Sequence, residues 1–126
     1  MITKSPHAGT ISQHVFCTLQ VEGIHQWSEC PLEEVEYLRH PHRHLFHVKA
    51  ILEVTHSNRD VEFIVLKHDI GAYINLKYFD SGWNLCNFGN MSCEMIAKDL
   101  LIQFDLTSCE VSEDGENGAI VSYRRL

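Results

Sequence analysis

Apolar and polar residues alternate along two stretches of the chain and recur at helical spacing along two others. Residues 11–27, "ISQHVFCTLQVEGIHQW", are rich in β-formers and lack a helix cap, which predicts a long first strand. The acidic segment "SECPLEEVEYLRHP", interrupted by Pro31 and Pro41, reads as a loop with one helical turn near Leu32–Leu38. From His42 the pattern becomes extended again. Period-two alternation puts His42, His44, Phe46, Val48, Ala50, Leu52 and Val54 on one face, and Arg43, Leu45, His47, Lys49, Ile51 and Glu53 on the other. "THSNRD" then supplies turn chemistry.

In "DVEFIVLKHDIGAYINL", Phe63, Leu66, Ile70 and Tyr73 or Ile74 fall at helical spacing, with Asp60 available as N-cap. Gly71 weakens this helix slightly. "KYFDSGWNLCNFGN" reads as a Gly- and Asn-rich connection, and "MSCEMIAKDLLIQF" as a second helix capped by Asn90 or Ser92. "TSCEVSED" and "GAIVSYRRL" flank the tight turn "DGENG", a hairpin signal. The order β, β, α, α, β, β predicts an α+β fold with helices on one face of an antiparallel sheet.

Length and composition narrow the class. A chain of 126 residues is most simply one domain spanning 1–126, and 44% apolar with 21% charged residues is a globular balance. The formal charge of -7 disfavours a general affinity for nucleic acid. No apolar run approaches the roughly 18–20 residues of a membrane span. "MITKSPHAGTISQH" has no signal-peptide core, so a cytoplasmic location is expected. Cys17, Cys30, Cys86, Cys93 and Cys109 form an odd, scattered set without a C-x-x-C pair, which argues for free thiols and against a cysteine-based zinc site.

Any metal therefore rests on histidine. "YLRHPHRHLFHVKAILEV" holds four of nine histidines: His40, His42, His44 and His47. An H-x-H pair on a strand sets both imidazoles on one face, about 6–7 Å apart along the chain. Three imidazoles with an open fourth position is a catalytic zinc arrangement. His25, near the end of the first strand, is the natural third candidate; His40 precedes a proline and His47 points the other way. The alternative is that the pair is polar decoration, and spacing alone leaves both readings open.

Several stretches, in order, resemble the 6-pyruvoyl-tetrahydropterin synthase and 6-carboxytetrahydropterin synthase family. "VEGIHQW" resembles its first-strand F-[ES]-A-A-H-R-L, "HRHLFHVKAILEV" its H-G-H-[NS]-[YF] strand, and "VEFIVLK" its V-x-D-F-x-x-L-K helix start. "NMSCEMIAKDL" is similar to N-P-T-[AS]-E-N-[IL]-A, keeping Asn90, Glu94 and Ala97; "CEVSEDGENGAI" is similar to the closing V-x-V-x-E-T segment, keeping Glu113. The resemblance implies a tunnelling fold (T-fold): a four-stranded antiparallel sheet with two helices on one side. Subunits would join into trimers closing a β-barrel, two of which stack as a homohexamer. It also implies zinc on His25, His42 and His44, and a pterin or purine-derived ligand held by Glu113 with Glu94 beside it. A carboxylate accepting two parallel N–H bonds suits that role.

The chain departs from the family at its proton-transfer groups. Leu38 stands where the family has its catalytic cysteine, and "LKYFDSGWNLCNFGN" has no histidine to form the family's Asp-His pair. Glu36, from "EEVE", and Asp80 are the replacement catalytic candidates. Two functions follow. One is a zinc-dependent enzyme of the pterin and deazapurine (queuosine-type) pathways, a lyase or hydrolase acting on dihydroneopterin triphosphate or a related purine-derived substrate. The other is a zinc-containing protein that binds such a ring without turnover.

Overall fold

The computed structural model describes residues 9–124 and has an α+β fold built on one open, mixed sheet. Strands β1 (Gln13–His25) and β2 (His42–Val54) pair antiparallel over their full length, from Gln13 opposite Val54 to His25 opposite His42. A short 3-10 helix, Glu33–Arg39, bridges them where one helical turn was expected. Helix α1 (Phe63–Tyr78) follows, then short strands β3 (Phe79–Asp80) and β4 (Leu85–Asn87), helix α2 (Cys93–Gln103), and the hairpin β5 (Ser108–Glu113) and β6 (Asn117–Ser122). The strand order is β3-β4-β1-β2-β5-β6.

The four long strands follow the sequence pattern closely. Phe46, Val48 and Ala50 of β2, with Cys109 and Val111 of β5, point to one face and are buried under the helices. Leu66, Ile70 and Ile74 of α1 and Ile96, Ala97 and Leu100 of α2 cover them. Among the described residues no helix is long and apolar enough to cross a membrane. All five cysteines are free and buried.

Three local expectations change. The "KYFDSGWNLCNFGN" connection contains β3 and β4, and β4 adds parallel to β1 at Gly23 and Ile24, so the sheet has six strands where four were expected. Strands of two or three residues leave no periodic trace in a sequence; tertiary pairing decides them. Glu62, not Asp60, caps α1 by accepting from Ile64 N at 2.8 Å. Asp60 instead closes the preceding turn, accepting from Thr55 N at 2.8 Å and Thr55 Oγ1 at 2.9 Å. Phe63 lies at the surface, and the buried stripe of α1 starts at Leu66. Ser92 caps α2, as one of the two expected candidates, by accepting from Met95 N. The last strand ends at Ser122, and residues 125–126 of the segment expected to form it lie outside the described residues.

Gly23 shows why the β1 end can be crowded. A Cβ there would stand 2.6 Å from the Phe88 ring and 3.1 Å from Phe46, so only glycine lets Phe88 close over the strand two residues before His25. The hairpin turn is equally specific: Asp114 and Gly115 take φ of 57° and 72°, the left-handed pair that an Asp-Gly dipeptide favours.

Candidate metal centre

Three strand ends meet at one corner of the sheet. His25 is the last residue of β1, His42 the first of β2, and register sets them opposite each other. His44 lies two residues along β2 on the same face, and Glu113, the last residue of β5, pairs with Phe46 and so shares that face. The alternation that buries Phe46 thus also aims both histidines and Glu113 into one place. The imidazole centroids are 4.5 Å (His25–His42), 5.4 Å (His25–His44) and 5.1 Å (His42–His44) apart. The Phe46 ring lies edge-on beneath them, 5.1 Å from His25 and 5.7 Å from His44.

Hydrogen bonds orient all three rings. His25 Nδ1–H donates to the Met91 carbonyl at 2.8 Å, His42 Nδ1–H to the His40 carbonyl at 2.9 Å, and His44 Nδ1–H to Asp114 Oδ2 at 2.8 Å. Each partner is an acceptor, which assigns the proton to Nδ1 and leaves the lone pair on Nε2. The three Nε2 atoms are buried and without a hydrogen-bond partner. Glu113 Oε2 lies 2.8 Å from His25 Nε2 and 3.5 Å from His44 Nε2, a close approach without hydrogen-bond geometry. Lone pairs facing a carboxylate oxygen repel unless a cation stands between them.

The donor set therefore fits a metal ion. One donor atom from each of His25, His42, His44 and Glu113 lies within 4.8 Å of the others. A tetrahedral zinc shell with bonds near 2.0–2.1 Å has edges of roughly 3.3 Å, so small side-chain rotations would complete it. Imidazoles held through the second ring nitrogen are the usual form of such ligands. Burial is the main cause that lowers the His42 pKa, with the neighbouring His25 and His44 adding to it, and this favours the neutral, ligating ring.

A cavity of about 530 Å³ opens beside the cluster. His25, His42 and Glu113 reach into it; Trp27 and Leu38 form one wall, and Cys93 and Glu94, from the first turn of α2, another. Leu38, at the position expected for a catalytic cysteine, is thus at the cavity but brings only methyl groups. Its placement is secured by the Trp27 N–H, which donates to the Leu38 carbonyl at 2.6 Å.

The other expected residues divide. Glu94 and Glu113 both border the cavity, and Glu113 lies among the side chains that could hold a metal ion rather than apart from them. Glu36 is exposed on the 3-10 helix and Asp80 accepts from Gly82 N and Asn87 Nδ2; neither lines the cavity. Arg43 points away and pairs with Glu22 at 2.7 Å. Two residues escaped the sequence reading. Asp114 orients His44 and also accepts from Leu45 N at 2.9 Å; its place next to Glu113 in a D-G turn was the available signal. Those two bonds hold its carboxyl below the usual range. Cys93 is the cavity's thiol, and burial, reinforced by Glu113 and Glu94, pushes it up to about 12, so it stays protonated.

Fold and site together define an α+β domain whose buried cluster of His25, His42, His44 and Glu113 could bind a metal ion. No protein-family model matches the chain, and no curated protein matches it. Among solved structures it is similar to the crystal structure of an uncharacterized protein, WS1659, from Wolinella succinogenes. The TM-score is 0.67 at 14% identity, covering 91% of this chain and 100% of that one. At that identity the likeness speaks for the fold alone.

Proposed function

We propose that the chain is a zinc protein of the tetrahydropterin-synthase type, binding a pterin or related purine-derived ring beside the metal and acting on it as a lyase or hydrolase. The observation that carries this reading is the convergence of three buried, unpartnered Nε2 atoms, two of them on histidines (His25 and His42) that line a cavity. His25, His42 and His44 would hold the zinc, with Glu113 against it. Zinc, when bound, supplies a Lewis acid able to polarise a ligand oxygen. The chain's own residues do the rest. Trp27 offers a flat apolar wall, and Glu94 accepts N–H bonds from the edge of the ring. Proton movement falls to Glu94 and Glu113, because Leu38 has no exchangeable proton and Cys93 retains its own.

The same absence at Leu38 favours a second reading, a zinc-containing protein that binds the ring without turning it over. Assembly belongs to the proposal as well. The outer side of β1 over residues 13–22 and the outer side of β6 carry no strand partner among the described residues, and Phe16 and Ile120 are exposed. A T-fold trimer or hexamer would pair such edges into a barrel.

The test is direct. The purified chain is loaded with zinc, and metal content, light-scattering mass and tryptophan fluorescence against dihydropterins are measured, followed by product analysis. One zinc per chain, a three- or six-chain mass and saturable quenching are expected, with His42→Ala losing zinc and quenching together. Absence of zinc uptake, or quenching identical with and without zinc, would overturn the reading.

A further inference from the structure

We propose that Glu113 is a displaceable fourth ligand, closing the metal site in the resting protein and giving way to a molecule that pairs an oxygen donor with an N–H. The inference rests on the reading of His25, His42 and His44 as zinc ligands, and it deepens that reading by saying what opens the centre.

Glu113 stands where a fourth ligand belongs. Its Oε2 approaches His25 Nε2 to 2.8 Å and His44 Nε2 to 3.5 Å, and the four donor atoms lie within 4.8 Å of one another. Donors sharing one tetrahedral zinc are roughly 3.3 Å apart, so the carboxylate is at ligand spacing. Catalytic zinc keeps a position free for its ligand. A centre held by three histidines and a carboxylate has such a position only after one of the four leaves.

The four are not held alike. Each imidazole is fixed twice, by its strand and by the bond from Nδ1 to the Met91 carbonyl, the His40 carbonyl or Asp114. Glu113 is fixed at its backbone, which pairs with Phe46 on one side and Asn117 on the other and accepts from Glu116 N at 3.0 Å. Its carboxylate sits at the end of a flexible stem. The side chain borders the cavity and is 27% exposed, against 8% for His25. Rotation about the stem carries the carboxylate off the metal and into the cavity without moving a strand.

The displaced carboxylate sets the terms for what can displace it. It remains largely enclosed, with the Glu94 carboxylate on the same cavity wall, and an enclosed charge is costly unless hydrogen-bonded. A molecule that offers the metal an atom and nothing more leaves Glu113 to bear that cost. One that carries an N–H beside its oxygen donor satisfies the metal and the carboxylate together. The hydroxyl, carbonyl and ring N–H groups of a pterin belong to this class.

The experiment uses the assembled chain loaded with cobalt(II), whose visible spectrum reports the ligands of a zinc site. The probes are azide, acetohydroxamic acid, its N-methyl form, which lacks the N–H, and 7,8-dihydroneopterin. Azide is expected to change the spectrum of Glu113→Ala at a concentration at least about tenfold below that needed for the wild type. Acetate should return the variant's spectrum toward that of the wild type. Acetohydroxamic acid should bind the wild type at least about tenfold tighter than its N-methyl form, a comparison that needs no variant, and Glu113→Ala should lose the preference. Equal azide responses in the two chains, or equal binding of both hydroxamates by the wild type, overturns the proposal. The expected azide and hydroxamate results with no response to dihydroneopterin leave the displaceable ligand standing and sink the pterin reading. Saturable binding of dihydroneopterin with equal azide responses does the reverse.

Discussion

Two polar clusters border the core of this chain, and they differ in one respect. Between the helices, Asp99 accepts from Tyr73 Oη at 2.9 Å, Tyr78 Oη at 2.5 Å and Lys77 Nζ at 3.2 Å. Every group there has a partner, and the cluster is complete as it stands. At the strand ends, His25, His42 and His44 are just as well fixed through Nδ1, yet their Nε2 atoms have none. Buried polar atoms without partners are rare because each costs roughly 1–3 kcal/mol. The first cluster ties helices together. The second offers donor atoms that could hold a metal ion.

Removing a ligand should separate the two most sharply. His42→Ala is expected to weaken zinc binding at least ~100-fold, measured by competition with a chromogenic chelator. The metal-free variant should lose little stability, because one unsatisfied buried atom goes with the ring. Saturating zinc, at about 100 times its Kd, should stabilise the wild-type chain by about 2.7 kcal/mol, on the order of 10 °C in Tm by calorimetry. Asp99→Ala should start from a lower Tm but show the same zinc-induced rise. An absent rise in the wild type would erase the contrast between the clusters.

Smaller effects sharpen it. Asp114→Ala frees the His44 ring without touching a donor atom, and a ~10–100-fold loss of zinc affinity is expected in the same competition assay. Asp99→Asn should cost about 1–3 kcal/mol in urea unfolding near neutral pH. Burial alone would raise the Asp99 pKa, but the bonds from Tyr78, Tyr73 and Lys77 outweigh it and hold the carboxyl below its usual value. The folded form therefore binds its proton less readily than the unfolded one. The stabilisation is fully present above about pH 4, the unfolded value, and fades as pH falls through the lower folded value. The amide of the Asp99→Asn variant does not titrate, so the two unfolding curves should converge at low pH. Smallest of all, Glu36→Gln should leave zinc affinity and stability unchanged within about 0.5 kcal/mol, since Glu36 is exposed and away from the cavity.

The elements that repeat a pattern many times were legible before any coordinates. Thirteen alternating residues of β2 and the apolar stripes of α1 and α2 identified their buried faces, and the H-x-H placed His42 and His44 on one of them. His25 came from its position near the end of β1. What was not legible is short or non-local. β3 and β4 have too few residues to show a period, and Glu62 overtook Asp60 as cap because Asp60 found Thr55 first. Glu36 and Asp80 looked chemically suitable, but suitability carries no information about distance.

From its residues alone, then, the chain determined an α+β fold, the faces of its long strands and a histidine pair with a third candidate upstream. Periodicity reports which side of an element is buried, and it reports that locally. Only the tertiary structure decided that Glu113 joins those histidines, that Asp114 steers one of them, and that Leu38 and Cys93 wall the cavity. Those facts depend on the β1–β2 and β2–β5 registers and on a turn closing 70 residues away from His44. Register is a property of paired strands, and no single strand's sequence contains it.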